Sequence, residues 1–519
     1  MSLAKRISTV GGFTLLSRLF GFVRDMLIAR YLGAGMAADA FFIAFKLPNF
    51  FRRLFGEGAF TVGFVPLYAR FLGKDITPES KAAADAFAGQ VISWLLPILL
   101  VFLVIMEAAM VPVMFGLSGG FDGDEQKFAF AVELGRYTFP YLALISLMTF
   151  FTGMLNAWER FSAAAFAPVI LNIFMISSLL FMGETEMEKA RWLAIAVSAS
   201  GAGQLLWVYV AAKRAGLTVR LPVPKLSPEI KELFRVMGPA ALGAGIIQVN
   251  LLIDTLLAAR FLPEGSVSWL FYADRLNQLP LGVIGIAVGT VLLPGISRLI
   301  AGGDEAGAMR QQNRAIEFTL FITLPAAVAL ALIARPIIAT LFEREAFLPS
   351  DTAATAAALS IYALGLPAYV VSKALTPGYF ARQDTKTPVR FATISLLVNT
   401  GLNFALIWDF AHVGLAAATA IAAWVNVALL YFGLKRSFAF SLSRHTLISV
   451  LKAAIACVAM AAALLIYLEF FGTYFSAGGT DRILHLTGLI AAGGITYLIV
   501  AFATGAVRLH EMRQILRRG

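Results

Sequence analysis

Arg18 and Arg24 fall inside the first long apolar stretch of this 519-residue chain, Arg52 inside the second, and Arg275 inside one near its middle. A guanidinium at the centre of a membrane helix costs about 2.5 to 3.5 kcal/mol on insertion scales, so these four are expected to line a water-filled cavity or meet an anion. Guanidinium stays charged at physiological pH and presents a fork of donors that matches phosphate, so the cluster predicts a phosphate-bearing ligand. A diphosphate would satisfy several arginines together.

The surrounding residues refine this. In SRLFGFVRD, Ser17 to Asp25, the positions of Arg18 and Asp25 share a helix face, whereas Arg24 lies about a third of a turn from Arg18. Both arginines can face one cavity only if the cavity is wide or the helix bends near Gly21. In DAFFIAFKLPNFFRRLFGEGAF, Asp39 to Phe60, Asp39, Lys46 and Arg53 form one heptad stripe, and Asn49 and Arg52 form a second. Pro48 and the Gly56-Glu57-Gly58 step predict a helix broken between them. Such breaks at membrane depth are tolerated where they line cavities. Plainer roles compete: Arg18 could neutralise Asp25 or Asp39, Asp274 could partner Arg275, and Lys46 and Arg53 could snorkel to the interface. No GxxxxGK[ST] loop occurs and the four histidines are scattered, which argues against ATP-driven transport by this chain and against a histidine metal site.

The elements that must carry these groups follow from composition. With 59% hydrophobic and 14% charged residues and a mean hydropathy of +0.80, the chain reads as an all-α polytopic membrane protein. Lys5 and Arg6 lead into an arginine-interrupted span with no cleavage site, so no cleavable signal peptide is expected and the N-terminus is placed in the cytoplasm. The lone Cys457 excludes an intramolecular disulfide. The net charge of +11 resides in loops on alternate sides of the apolar segments, the pattern of membrane orientation and not of nucleic-acid binding.

A window long enough for the hydrocarbon core gives about fourteen spans. They run 8–32, 37–70, 87–112, 130–157, 163–183, 190–212, 236–262, 267–300, 315–342, 353–380, 388–409, 413–434, 447–471 and 483–507. Loops assigned inside are basic, with Lys213, Arg214, Arg220, Lys225, Lys231 and Arg235 in one of them, whereas those outside carry Glu184, Glu186 and Glu188 or Glu343, Glu345 and Asp351. One missed span would invert every later loop, so the charges support both the count and cytoplasmic termini.

An internal repeat relates IARYLGAGMAADAFFIAFKLP, from Ile28, to AARFLPEGSVSWLFYADRLNQLP, from Ala258, with Arg30 and Gly35 falling on Arg260 and Gly265. PYLALIS from Pro140 and PAYVVSK from Pro367 follow in the same order, as do WERFSAAAFAP from Trp158 and ARQDTKTP from Ala381. Six spans separate the copies, so they share one orientation about an axis along the membrane normal. The expected organisation is an N-lobe at 1–221, a C-lobe at 222–440 and two extra helices at 441–519. Two such lobes facing one another would enclose a cavity suited to alternating access.

SRLFGFVRD, AADAFF, KLPNFFRRLFGEGAF, GSVSWLFYADRL and PGYFARQDTKTPV together resemble the MurJ (MviN) family of lipid II flippases, in the multidrug/oligosaccharidyl-lipid/polysaccharide exporter superfamily. The resemblance covers the first twelve spans by motif and the last two by hydropathy. It implies movement of lipid II, an undecaprenyl-diphosphate disaccharide-pentapeptide, from the inner to the outer leaflet of a bacterial inner membrane during peptidoglycan synthesis. Partners implied are lipid II, membrane lipids and the cell-wall synthesis machinery. The matching positions are Arg18, Arg24, Arg52 and Arg275 for substrate and Asp39 and Glu57 for gating, with Asp25, Ser17 and Asn49 as neighbours. The extra helices would form a groove for the lipid tail. Some members resemble sodium-coupled carriers, and the corresponding residues here are Asp254, Asn399, Asn403 and Thr419, with Asn403 where a carboxylate is expected.

No cofactor is expected beyond a coupling ion, sodium or proton, or the membrane potential. Moving two negative charges outward across an inside-negative membrane is favoured by about 4.6 kcal/mol per 100 mV. Three rivals stand beside this reading. A cation or drug antiporter would need uncompensated cavity carboxylates; a flippase for another polyprenyl-diphosphate oligosaccharide shares the same charges; a glycosyltransferase would need catalytic carboxylates in a large outer loop.

Overall fold

The computed structural model describes residues 3–54, 60–73, 75–475, 479 and 481–506, with side chains described for all of these except 3–8, 122, 242–251 and 283–291. Glu57 and the glycines beside it lie outside the described residues. Every described element is a helix, as the composition requires. Among the described residues nine helical stretches are long and apolar enough to cross a membrane. Fourteen is the hydropathy count; nine is the number that length and apolarity establish.

Several expected spans are pairs of helices. Span 37–70 is α2 (Met36–Phe51) and α3 (Thr61–Leu72), preceded by α1 (Leu3–Leu32). Span 87–112 is α4 (Pro78–Ala108) and α5 (Met110–Ser118); span 130–157 is α6 (Glu125–Thr138) and α7 (Tyr141–Ala157), which turn at Phe139 and Pro140. After α8 (Ser162–Phe181), α9 (Glu186–Arg214), α10 (Pro228–Phe261) and α11 (Ser266–Ala301), span 315–342 divides into α12 (Glu305–Leu332) and α13 (Ala334–Leu341). Then come α14 (Pro349–Phe380), α15 (Lys386–Phe438), α16 (Arg444–Phe471) and α17 (Asp481–Ala503). The 53 residues of α15 hold two expected spans and leave helical geometry at Ala411, φ 49° and ψ −132°. At 1.5 Å per residue that element is about 80 Å long, too long for one crossing.

Local chemistry sets these boundaries. Thr77 accepts from the Ser80 amide and Pro78 follows it, while Thr185 and Glu188 form a reciprocal capping box at the start of α9. Pro48 lies inside α2 and cannot donate to the carbonyl of Ala44. Thr138 Oγ1 takes that carbonyl at 3.0 Å, so the helix continues to Phe51 and then widens into a π-turn at 52–54. The break thus begins later than the proline, in a geometry frequent at functional sites.

By its contacts the chain forms two compact units. The first comprises Met1–Ser268 with Arg344–Phe347, the second Trp269–Glu343 with Leu348–Gly519. The boundary differs from the 221/222 division, which rests on the repeat and not on packing. In the first unit Phe64 stacks on Phe60, Phe87 and Phe150, with ring centroids 5.0 to 5.9 Å apart, joining α3, α4 and α7. In the second, Leu366, Val370, Ala374 and Leu430 bury against one another around Tyr379, whose hydroxyl donates to Leu430 O at 2.7 Å. Helices α16 and α17 pack together within this unit. Arg482, at the start of α17, reaches Glu343 at 2.9 Å, and Tyr497 OH donates to Phe321 O at 2.6 Å.

Candidate functional site

Arg24 is buried at the α1–α8 contact, 6% exposed, with Asp25 beside it at 3%. Its Nε and Nη2 donate to Asp25 Oδ1 at 3.0 and 2.7 Å, and Nη1 donates to Asn172 Oδ1 at 2.9 Å. Asn172 Nδ2 in turn donates to the carbonyl of Ser17 at 3.0 Å. A Cβ on Gly21 would contact the Asn172 amide at 3.7 Å. Gly21 therefore lies within a continuous helix, against Asn172. Arg24 faces α8, held by a carboxylate and an amide, while half-buried Arg18 makes no hydrogen bond or ion pair among the described residues.

The two charges have different capacities. A guanidinium already bonded to a carboxylate and an amide keeps a fixed direction and presents less free charge. The candidate neutralisers of Arg18, Asp25 and Asp39, both hold other cations.

Asp39 sits at 1% exposure near the start of α2. It accepts from Lys127 Nζ at 2.8 Å, Gly265 N at 2.9 Å, Ser268 N at 3.0 Å and Ser268 Oγ at 2.6 Å. The carboxylate thus caps the N-terminus of α11, where backbone amides and the helix dipole favour negative charge. Glu264 Oε1 returns the arrangement by accepting from Met36 N, at the start of α2, at 2.7 Å. The pair of caps clasps α2 to the start of α11. Lys127 also lies 4.6 Å from the centre of the Phe121 ring.

Further along α2, Lys46 Nζ donates to the hydroxyl of Thr255, next in sequence to half-buried Asp254 on α10. Asn49 Nδ2 donates to Phe45 O at 2.9 Å, and its Oδ1 accepts from Arg52 Nε at 3.3 Å, so the Asn49–Arg52 stripe is a bonded pair. Arg53 is exposed. Arg275, in the second unit, lies 4.9 Å from the centre of the Phe271 ring, and Asp274 accepts from Gln278.

At the other end of α1, Ala346 N donates to Arg30 O at 3.1 Å and Arg30 Nη2 meets Glu345 Oε1 at 2.6 Å. That hydrogen-bonded guanidinium holds the Glu345 carboxyl below its usual range. Gly33, at φ 62°, lets the Ala346 carbonyl approach where a Cβ would overlap it.

Three members of the expected sodium set form one chain in the second unit. Asn403 Nδ2 donates to Asn399 Oδ1 at 3.1 Å, Asn399 Nδ2 to Thr419 Oγ1 at 3.2 Å, and Thr419 Oγ1 to Leu415 O at 2.9 Å. These three side chains are neutral, so a cation would gain no formal charge from them. Among the described residues no group of three or more His, Cys, Asp or Glu could hold a metal.

Sequence reading missed Asn172, Lys127, Glu264 and Ser268. Nothing local marks Asn172 or Lys127, whereas Glu264 and Ser268 both stood in the segment from Ala258 that the repeat singles out.

The family model for the lipid II flippase MurJ matches residues 28–485. A probable lipid II flippase MurJ of Rhizobium meliloti (strain 1021) is 44% identical over 526 residues, covering 100% of this chain and 97% of that protein. A solved structure of lipid II flippase MurJ in an inward closed conformation superposes with a TM-score of 0.78 at 26% identity, over 95% of this chain and 97% of that one. An inward-facing multidrug resistance MATE transporter of the MOP superfamily shares the fold, with a TM-score of 0.69 at 16% identity over 83% of this chain and 98% of that one. This multi-span helical membrane protein belongs to the lipid II flippase MurJ family.

Proposed function

We propose that the protein carries lipid II from the inner to the outer leaflet of a bacterial inner membrane by alternating access, as a transporter and not an enzyme, with both termini cytoplasmic. The observation that carries this reading is the pairing of family membership over residues 28–485 with a half-buried Arg18 that no carboxylate among the described residues neutralises. Arg18 receives the diphosphate and Arg24 is the second donor, with Arg52 and Arg275 as further substrate-binding residues as the N- and C-lobes of the repeat exchange access. The helix pair α16–α17 supplies the surface for the lipid tail.

Asp39 acts as the gating carboxylate. It releases the α11 amides when the outer side opens, and Lys127 remains with it as counter-charge. Membrane potential supplies at least part of the drive, since outward passage of two negative charges is favoured by about 4.6 kcal/mol per 100 mV. The neutral Asn399–Asn403–Thr419 chain supports this over tight sodium coupling.

Proteoliposomes holding the purified protein and lipid II test the reading. Leaflet-specific labelling should report transfer that slows when the potential alone is collapsed. Transfer no faster than in protein-free vesicles refutes the function. Transfer unchanged on collapsing the potential refutes the drive.

A further inference from the structure

A cavity of about 330 Å³ lies in the first unit, between α4, α7 and α10 and capped by Phe60. Its wall includes Trp94, Ile98 and Phe102 of α4 and Phe234 and Met237 of α10. Among the described residues none of α1 lines it, which sets it apart from Arg18 and Arg24. A dry apolar cavity of about 150 Å³ accepts a benzene, so this one accepts on the order of a dozen carbons.

Two features set the occupant. Ser146 is the only hydroxyl among the described lining residues; it is 7% exposed, and its Oγ makes no hydrogen bond among the described residues. A buried hydroxyl without a partner carries a desolvation penalty that an ester oxygen would relieve and a prenyl chain would not. The rim is basic. Trp94 Nε1 donates to Lys225 O at 3.1 Å and Lys225 N to Gln90 Oε1 at 2.9 Å, while Gly89 leaves room for the carbonyl of Arg220, which a Cβ would approach to 2.7 Å. These contacts strap the connector between α9 and α10 along α4, with Lys225 and Arg220 both exposed. Basic rims between membrane helices on the cytoplasmic side suit anionic lipid headgroups. Ile98 and Phe234 are both lining residues and exposed apolar surface, so the mouth opens to hydrocarbon.

We propose that this cavity binds one ester-linked acyl chain of an anionic glycerophospholipid, whose phosphate meets the Lys225–Arg220 rim.

The probe is phosphatidylglycerol carrying a diazirine in one acyl chain, at low mole fraction in proteoliposomes of the full chain. Photolabelling should map to peptides around 91–102 and 230–241, and exceed labelling by the phosphatidylcholine analogue with the same chain. A Cβ at Gly238 would meet nothing within 4 Å, so Gly238→Leu extends into the cavity from an uncrowded position; Ser146→Leu fills it from α7. Each should lower labelling there about tenfold or more, as expected when several methylene contacts are removed. Lys225→Glu should abolish the preference for phosphatidylglycerol over phosphatidylcholine. Thermal melting identifies a filler that misfolds, in which case the other decides. Labelling that survives the folded filler, or maps elsewhere, overturns the site. Equal labelling by the two headgroups, or displacement by undecaprenyl phosphate more readily than by phosphatidylglycerol, overturns the proposed occupant.

Discussion

Arg24→Ala removes the guanidinium bonded to Asp25 in the α1–α8 contact. The two side chains are 7% and 4% exposed, so screening by solvent is slight and the surface-pair discount does not apply. Deleting one partner of a buried pair costs about 3 to 5 kcal/mol, because the remaining charge is left in a low-dielectric site. Asn172 keeps its bond to Ser17 O but loses a donor at Oδ1, and Asp25 has contacts beyond this pair, which points to the lower end. For a first unit made of Met1–Ser268 and Arg344–Phe347, about 3 kcal/mol lowers the apparent melting temperature by about 5 °C. Arg24→Ala with Asp25→Ala removes both charges and should recover most of that loss, giving a coupling energy of about 2 kcal/mol. The assay is thermal unfolding of the four proteins in one detergent. If Arg24→Ala melts within about 2 °C of wild type, or the double variant melts lower than both singles, the pair does not stabilise the α1–α8 contact as argued.

Lys127→Ala should destabilise the first unit by about 3 kcal/mol, and Lys127→Met with Asp39→Asn by less, because a neutral amide still accepts from the α11 amides; denaturant melts of all variants check this. Gly33→Ala should cost more than about 1 kcal/mol, since a left-handed φ and overlap with Ala346 O act together, whereas Gly123→Ala, also at positive φ but in open space, should cost less. Glu345 has a depressed folded pKa, so its bond to Arg30 is fully present above the ordinary carboxylate range and is lost as pH falls through the lowered value. Proteolysis or cysteine labelling at 344–347 should increase only in that acidic window, and Glu345→Gln should flatten the response.

The membrane class and the long helices were legible because apolar runs of that length admit no other reading. The chemistry of α1 and α2 was legible too, since charges inside such runs need a reason. Partnership was not. Helix-face spacing set Arg18 against Asp25, yet Arg24 folds back onto its own neighbour, because the end of a long side chain ranges well beyond its Cβ direction. Asn172 lies 148 residues from Arg24, and Ser268 lies 229 from Asp39. Those meetings depend on tertiary packing that no local period encodes. The helix leaves α geometry between Pro48 and Gly56, as the sequence suggests; what no local period marks is Thr138, which bonds the freed Ala44 carbonyl from another helix. Ala411 marks a division that was legible, since the hydropathy peaks at 388–409 and 413–434 fall on two helices that meet across a kink at this residue.

The most direct test of the central claim replaces the native protein in depleted cells by Arg18→Ala, Arg24→Ala or Arg275→Ala and measures lipid II by leaflet. Accumulation in the inner leaflet with each variant, at normal protein levels for Arg18→Ala, is the predicted result. Outer-leaflet lipid II restored to wild-type levels by both Arg18→Ala and Arg275→Ala would contradict it.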